Sequence, residues 1–260
     1  MEKYTKPDIW QWQQPNEERS GNRPTAGARF EQTLPVGEAP HQVYSLGTPN
    51  GIKVAIMFEE LKALDIQDAA YDLYQISIGN GDQFGTDFVS INPNSKIPAL
   101  VDYSTQTPLR IFESGSILLY LAEKFQQFIP QDIAGRTETL NWVFWQTGAG
   151  PYIGGGFGHF FHYAPYDMEY PIDRFTMETK RQLDLLDQLL SKRDYIAGDT
   201  YTIADMMIWP WYGRLVQGQL YDGSDKFLAV EQYQHLNRWA EQIRQRPAVQ
   251  RALEVPYQSL

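Results

Sequence analysis

The chain has 260 residues, 42% of them hydrophobic and 21% charged, which suits one or two domains with a sizeable core. Acidic residues outnumber basic ones by 32 to 22, and the net charge of −10 argues against nucleic acid or anionic membranes as main partners. There is no cysteine, which excludes disulfides, thiolate metal sites and a protein thiol nucleophile. Any sulfur chemistry must therefore use sulfur from small molecules. The four histidines, His41, His159, His162 and His235, lack metalloprotease spacing, and His159 and His162 have no acidic neighbours, so no metal site is expected. No apolar run approaches the roughly 18 residues of a membrane span. The segment from Met1 to Trp10 lacks the apolar core of a secretion signal, so a cytoplasmic location is expected.

Residues 1–40 differ from the rest. Prolines and the aromatic anchors Trp10, Trp12 and Phe30 are scattered among polar residues, which reads as an extended arm wrapping its own domain or a partner subunit. Asn22-Arg23-Pro24 reads locally as a turn. Gln42–Leu46 is expected as a strand. A helix follows, with Thr48 at its cap, Pro49 in its first turn and Val54, Ile56, Met57, Leu61 and Leu64 apolar. A second strand (Tyr71–Ser77), a glycine-rich loop (Ile78–Asp82) and a short helical piece (Asp87–Ile91) come next. Ala99–Asp102 and Leu109–Phe112 form a hairpin, and a helix capped by Ser114 runs to Phe125. The order β-α-β-α-β-β-α is that of a thioredoxin-like fold, expected over residues 41–128.

Over residues 129–260 strand signals vanish, and an all-helical domain is expected. Its helices are placed at 136–146, 172–190, 206–216 and 232–245, with a break at Arg246-Pro247. Gly148–Gly158 is glycine-rich and aromatic. Thr202-Ile203-Ala204-Asp205 reads as a capping box, which makes Asp205 a folding device rather than a catalyst. The fold class is thus α/β plus all-α.

Two stretches carry the chemistry. In Asn92-Pro93-Asn94-Ser95-Lys96-Ile97-Pro98-Ala99-Leu100, the proline opens a strand. If Ile97–Pro98 is cis, the Ile97 N–H and C=O face outward and pair with an extended peptide as an added strand would. In Phe112-Glu113-Ser114-Gly115, a helix start attracts a carboxylate and Glu113 attracts an ammonium. Both ends of an α-amino acid and a peptide backbone are served in one zone, which describes a site for glutathione.

With Tyr44–Gly51, Gly81–Phe84, Gly154–Phe160 and Thr202–Asp205, these residues resemble the glutathione transferase superfamily from about Pro40 to about Val255. Within it the chain looks like the nu class of bacteria, the YghU-type disulfide-bond oxidoreductases. The resemblance implies a homodimer and two glutathione molecules per site, or oxidised glutathione. It implies Thr48 and Asn50 as catalytic residues beside the glutathione sulfur, where most classes have Tyr, Ser or Cys. Asn22, Pro49, Gln83, Lys96, Ile97, Glu113, Ser114, Thr147 and Arg174 are implied as further glutathione contacts. Thr147 stands where the nu class often has Gln. The implied reaction is reduction of small disulfides or organic hydroperoxides by bound thiols. Conjugation of electrophiles is an alternative. So is a non-enzymatic regulator on the same scaffold, although the arm is not the long Asn-rich tail of the yeast nitrogen regulator. Tyr152, Phe157, Phe160 and Tyr163 are expected to wall a pocket, with the glycines before them admitting a ligand.

Overall fold

The computed structural model describes residues 4–12 and 23–260. Four strands, β1 (His41–Ser45), β2 (Tyr71–Gln75), β3 (Ala99–Asp102) and β4 (Leu109–Phe112), form one sheet in the order β2-β1-β3-β4. β1 and β2 are parallel and the other neighbours antiparallel. Successive side chains take opposite faces. Val43, Leu73, Leu100 and Ile111 point to the main core, whereas Tyr44, Tyr74, Ala99 and Val101 build a smaller core with Phe88 and Ile91 of α2 (Thr86–Ile91). The N-terminal half is thioredoxin-like.

α1 (Pro49–Ala63) lies on the main-core face and is buried from Gly51 to Leu61, because the helical half covers what the sheet does not. Thr48 is its N-cap, accepting from the Gly51 N–H. Two buried carboxylates near its end are paired: Glu60 with Arg246 at 2.6 and 2.9 Å, and Glu59 with Arg251 at 2.8 Å. Arg251 belongs to α10 (Pro247–Glu254), a helix hidden behind the expected break. Pro247 there opens a helix, because the first turn does not need its missing N–H.

α3 (Ser114–Phe125) begins one residue earlier than a Ser114 cap would require. Glu113 occupies the cap position at φ 67°, with no side-chain cap, and Ser114 is the first helical residue. α4 (Ile133–Pro151) runs without interruption into a π-helix (Tyr152–Tyr163), so the glycine-rich stretch is helical. α5 (Glu169–Leu190), α6 (Ile203–Ile208), α7 (Arg214–Val216), α8 (Ser224–Leu228) and α9 (Gln234–Arg244) complete the helical half. A second π-turn, Trp209–Gly213, joins α6 to α7, and Pro210 inside it has no N–H for a regular ladder. The Thr202–Asp205 capping box is present. Burial pushes the Asp205 carboxyl up to about 6, although it accepts from the backbone N–H groups of Ile196 and Thr202 and from the Trp239 indole at 2.9 Å.

Of the arm, residues 29–34 bond to the chain's own α2 region. Arg29 donates to Phe84, Thr86 to Phe30, and Leu34 to the Asp87 carboxylate. Trp10 and Trp12 are exposed in this single chain.

Three of the four glycines of the π-helix, Gly154, Gly156 and Gly158, are filled by the protein's own rings, which corrects the expectation that they admit a ligand. A Cβ at Gly156 would meet Phe175 at 2.3 Å, and one at Gly158 would meet Tyr221 at 2.2 Å. Phe157 is a core residue stacked on Phe161, and Phe160 stacks on Phe175. Gly155 faces open space. Gly156→Ala and Gly158→Ala are expected to cost about 1–3 kcal/mol by overpacking, while Gly155→Ala is neutral or stabilising by up to about 1 kcal/mol. Urea denaturation reads the difference, and equal effects at all three positions contradict it.

His41 and Asp102 face each other in the β1–β3 register and are both buried. Asp102 accepts from Tyr120 Oη at 2.6 Å, from the Ser104 hydroxyl and N–H at 2.7 Å, and from Lys124. Burial alone would raise its carboxyl, but these bonds, led by Lys124, hold it well below the usual carboxylate range. The folded state therefore binds this proton more weakly than the unfolded chain. The resulting stability is present above the unfolded value of about 4 and is lost as pH falls below it. Asp102→Ala is expected to cost about 3 kcal/mol at neutral pH, with the gap to wild type narrowing in acid. A gap independent of pH in urea denaturation contradicts this.

Candidate active site

The sheet register gathers three segments at one end. β1 runs out towards Thr48, Tyr44 pairs with Ala99 just after Pro98, and Ala99 pairs with Phe112 just before Glu113. The end of β1, the start of β3 and the end of β4 thus deliver Thr48 and Asn50, Ile97, and Glu113 and Ser114 to the same edge.

At α1, the half-buried Thr48 accepts from the Gly51 N–H at 3.4 Å through its hydroxyl oxygen, so its own O–H proton is left to donate. Asn50, the second helical residue, accepts at Oδ1 from the Trp211 indole N–H at 2.9 Å. Its oxygen being taken, the Asn50 NH2 is the group left for a ligand. Trp211 is carried by the π-turn of the helical half and lies against Gly154, where a Cβ would come within 2.7 Å of its ring. Two donors at a helix N-terminus suit an anion, and a thiolate so held forms at lower pH.

The Ile97–Pro98 bond is cis. The Ile97 N–H and carbonyl have no backbone partner among the described residues. The turn before it is pinned by Asn92, whose Nδ2 donates to the Lys96 carbonyl at 2.6 Å, while the Lys96 side chain is exposed. Glu113 is exposed and Ser114 is 7% exposed.

The remaining expected residues are placed differently. Gln83 is buried, donates to the Ile78 carbonyl at 3.4 Å, and leaves Oε1 without a partner among the described residues. Thr147 is exposed, and its hydroxyl donates back to the Val143 carbonyl at 3.0 Å. Arg174 is exposed on α5 in a shallow cleft with Glu169, Tyr170, Asp173 and Met177, and no described contact joins it to Thr48 or Asn50. Its neighbour Phe175 packs on Gly156, two residues from the Gly154 that Trp211 covers. Asn22 lies outside the described residues.

Three neighbours of the site escaped sequence reasoning: Trp211, Gln146 and Lys53. Lys53 is 1% exposed, and its Nζ donates to Gln146 Oε1 at 2.8 Å and to Ser114 Oγ at 3.4 Å. A signal existed, since Lys53 is the one polar residue in the run from Ile52 to Phe58. Among the described residues no cluster of three or more His, Asp or Glu could hold a metal ion, and no helix is long and apolar enough to cross a membrane.

The family model for the glutathione S-transferase N-terminal domain matches residues 50–123, and that for the C-terminal domain matches residues 169–242. The disulfide-bond oxidoreductase YghU of Escherichia coli is 57% identical over 253 residues, covering 95% of this chain and 86% of that one. A solved glutathione transferase YghU from Streptococcus pneumoniae, complexed with glutathione, superposes with a TM-score of 0.95 at 59% identity, covering 99% of each chain. A glutathione transferase from Burkholderia graminis, with two glutathione molecules bound per subunit, has a TM-score of 0.77 at 40% identity, covering 84% of this chain and 89% of that one. A thioredoxin-like half carrying donors at the tip of α1, joined to a helical half and matched along nearly its whole length, makes this chain a member of the glutathione S-transferase family.

Proposed function

We propose that the chain is a glutathione-dependent reductase of small disulfides and organic hydroperoxides, acting as a cytoplasmic homodimer with two glutathione molecules per site. The observation that carries the reading is the pair of free donors at the tip of α1, the Thr48 hydroxyl and the Asn50 NH2, in a chain that owns no thiol.

The first glutathione lies along the gathered edge. Its α-ammonium faces Glu113, its α-carboxylate meets Ser114 and the N–H groups of α3, and its cysteinyl backbone pairs with Ile97. Lys96 and Gln83 serve its end groups, and Pro49 shapes the turn beside the sulfur. Thr48 and Asn50 donate to the sulfur and favour the thiolate. The thiolate attacks one sulfur of a small disulfide, forming a glutathione mixed disulfide and expelling a thiolate that takes a proton. The second glutathione, its carboxylate facing Arg174 and its backbone near Thr147, attacks the glutathione sulfur of that intermediate. Oxidised glutathione and a second thiol leave. Two electrons pass from the two tripeptides to the substrate. With a hydroperoxide, the thiolate attacks the outer oxygen, an alcohol leaves, and the second thiol converts the sulfenic acid to oxidised glutathione and water. The two glutathione molecules held by the Burkholderia graminis relative support this stoichiometry.

Purified protein, glutathione and a small symmetrical disulfide, with oxidised glutathione measured, test the reading. Turnover above the uncatalysed rate is expected. Thr48→Ala and Asn50→Ala should each lower kcat/KM about 10- to 100-fold, the worth of a hydrogen bond to a charged atom, while the fold is kept. No turnover overturns the reading, and turnover confined to an aryl halide assigns conjugation instead.

A further inference from the structure

Lys53 is a buried lysine with no carboxylate against it. It projects from the second turn of α1 between α3 and α4, and no Asp or Glu lies within salt-bridge distance among the described residues. The faces around it are mostly uncharged. α4 offers Gln146, α3 offers the Ser114 hydroxyl, and the Asp205 of α6 is engaged by its own cap and by Trp239. Glu113, exposed at the start of α3, is the charged group that acts on it. An unpaired buried ammonium is costly, because desolvation is not repaid by a counter-charge. Burial accordingly holds the Lys53 amine well below the ordinary lysine range, with Glu113 acting in the opposite sense.

What distinguishes this lysine from a merely buried one is its neighbour. Besides Gln146, Nζ reaches Ser114 Oγ, and Ser114 opens the helix whose N-terminus attracts carboxylates. We propose that Lys53 is a positioning residue behind the glutathione α-carboxylate, taking up one proton as that carboxylate binds and thereby turning the Ser114 hydroxyl towards it. This rests on the glutathione reading above. In the free protein the neutral amine donates to Gln146 and shares the Ser114 proton. When the carboxylate arrives, the amine gains a proton from solvent and a new N–H bond forms. The ammonium then donates to Ser114 Oγ, and the Ser114 O–H is released to the ligand. The carboxylate supplies the negative charge that the site lacks, and Gln146 ties the arrangement to the helical half.

Calorimetric titration of the folded protein with S-methylglutathione in buffers of differing ionisation enthalpy tests this. That ligand keeps both carboxylates and has no thiol proton to lose. Near neutral pH the wild type is expected to take up about one proton per site. Lys53→Met should show no uptake and bind about 10-fold or more weakly. Binding to wild type without proton uptake, or unchanged uptake in Lys53→Met, overturns the proposal. The wild-type proton count decides alone should Lys53→Met not fold. Failure of wild type to bind either glutathione or S-methylglutathione overturns the underlying glutathione reading instead, so the two failures are separable.

Discussion

The hydrogen bond from the Trp211 indole N–H to the side-chain oxygen Oδ1 of Asn50 joins the two halves of the molecule at the tip of α1. It sets which end of the Asn50 amide faces outward. An amide can present oxygen or nitrogen, and only the nitrogen end is useful to an anion. By occupying the oxygen, Trp211 commits the side chain to donation. The indole is in turn held by the π-turn that carries it and by Gly154, which has no side chain to displace it. A second tie, from Lys53 to Gln146, lies deeper in the same joint. The start of α1 is therefore fixed from the helical half while its donors stay free on the other side.

The sheet and the motifs at its edge were legible because they are local. Both strands of the hairpin, Ala99–Asp102 and Leu109–Phe112, were legible to the residue, and Ile97-Pro98 marked the turn before them. The Thr202–Asp205 box was legible because a cap needs only its own first turn. The π-helix was not, since glycine and proline ordinarily argue against a helix. There the glycines are explained by rings arriving from distant positions, Phe175, Trp211 and Tyr221. Lys53, Gln146 and Trp211 were missed for the same reason: each meets its partner across a large separation in sequence. Gln146 and Thr147 show how fine the distinction is. They are adjacent in one helix, and a single step turns one into the joint and leaves the other on the surface.

On the proposed reading, a chain without cysteine acts through electrostatics rather than through a thiol of its own. Stabilising an anion needs donors whose orientation is already settled, because reorienting them during the reaction would cost what they supply. The polar groups at the α1 tip meet that need through their unused valences: one hydroxyl proton on Thr48 and one NH2 on Asn50, each with its oxygen otherwise engaged. The register of β1, β3 and β4 brings the Ile97 backbone and the start of α3 to the same edge. The arrangement is economical, since the sheet positions all of it through hydrogen bonds it makes anyway.

A crystal structure of this chain with glutathione bound would test the central claim most directly. The account predicts the sulfur within hydrogen-bonding distance of the Thr48 hydroxyl and the Asn50 amide nitrogen, with the γ-glutamyl end on Glu113 and Ser114. A tripeptide seated elsewhere, or one whose sulfur points away from the tip of α1, would contradict it.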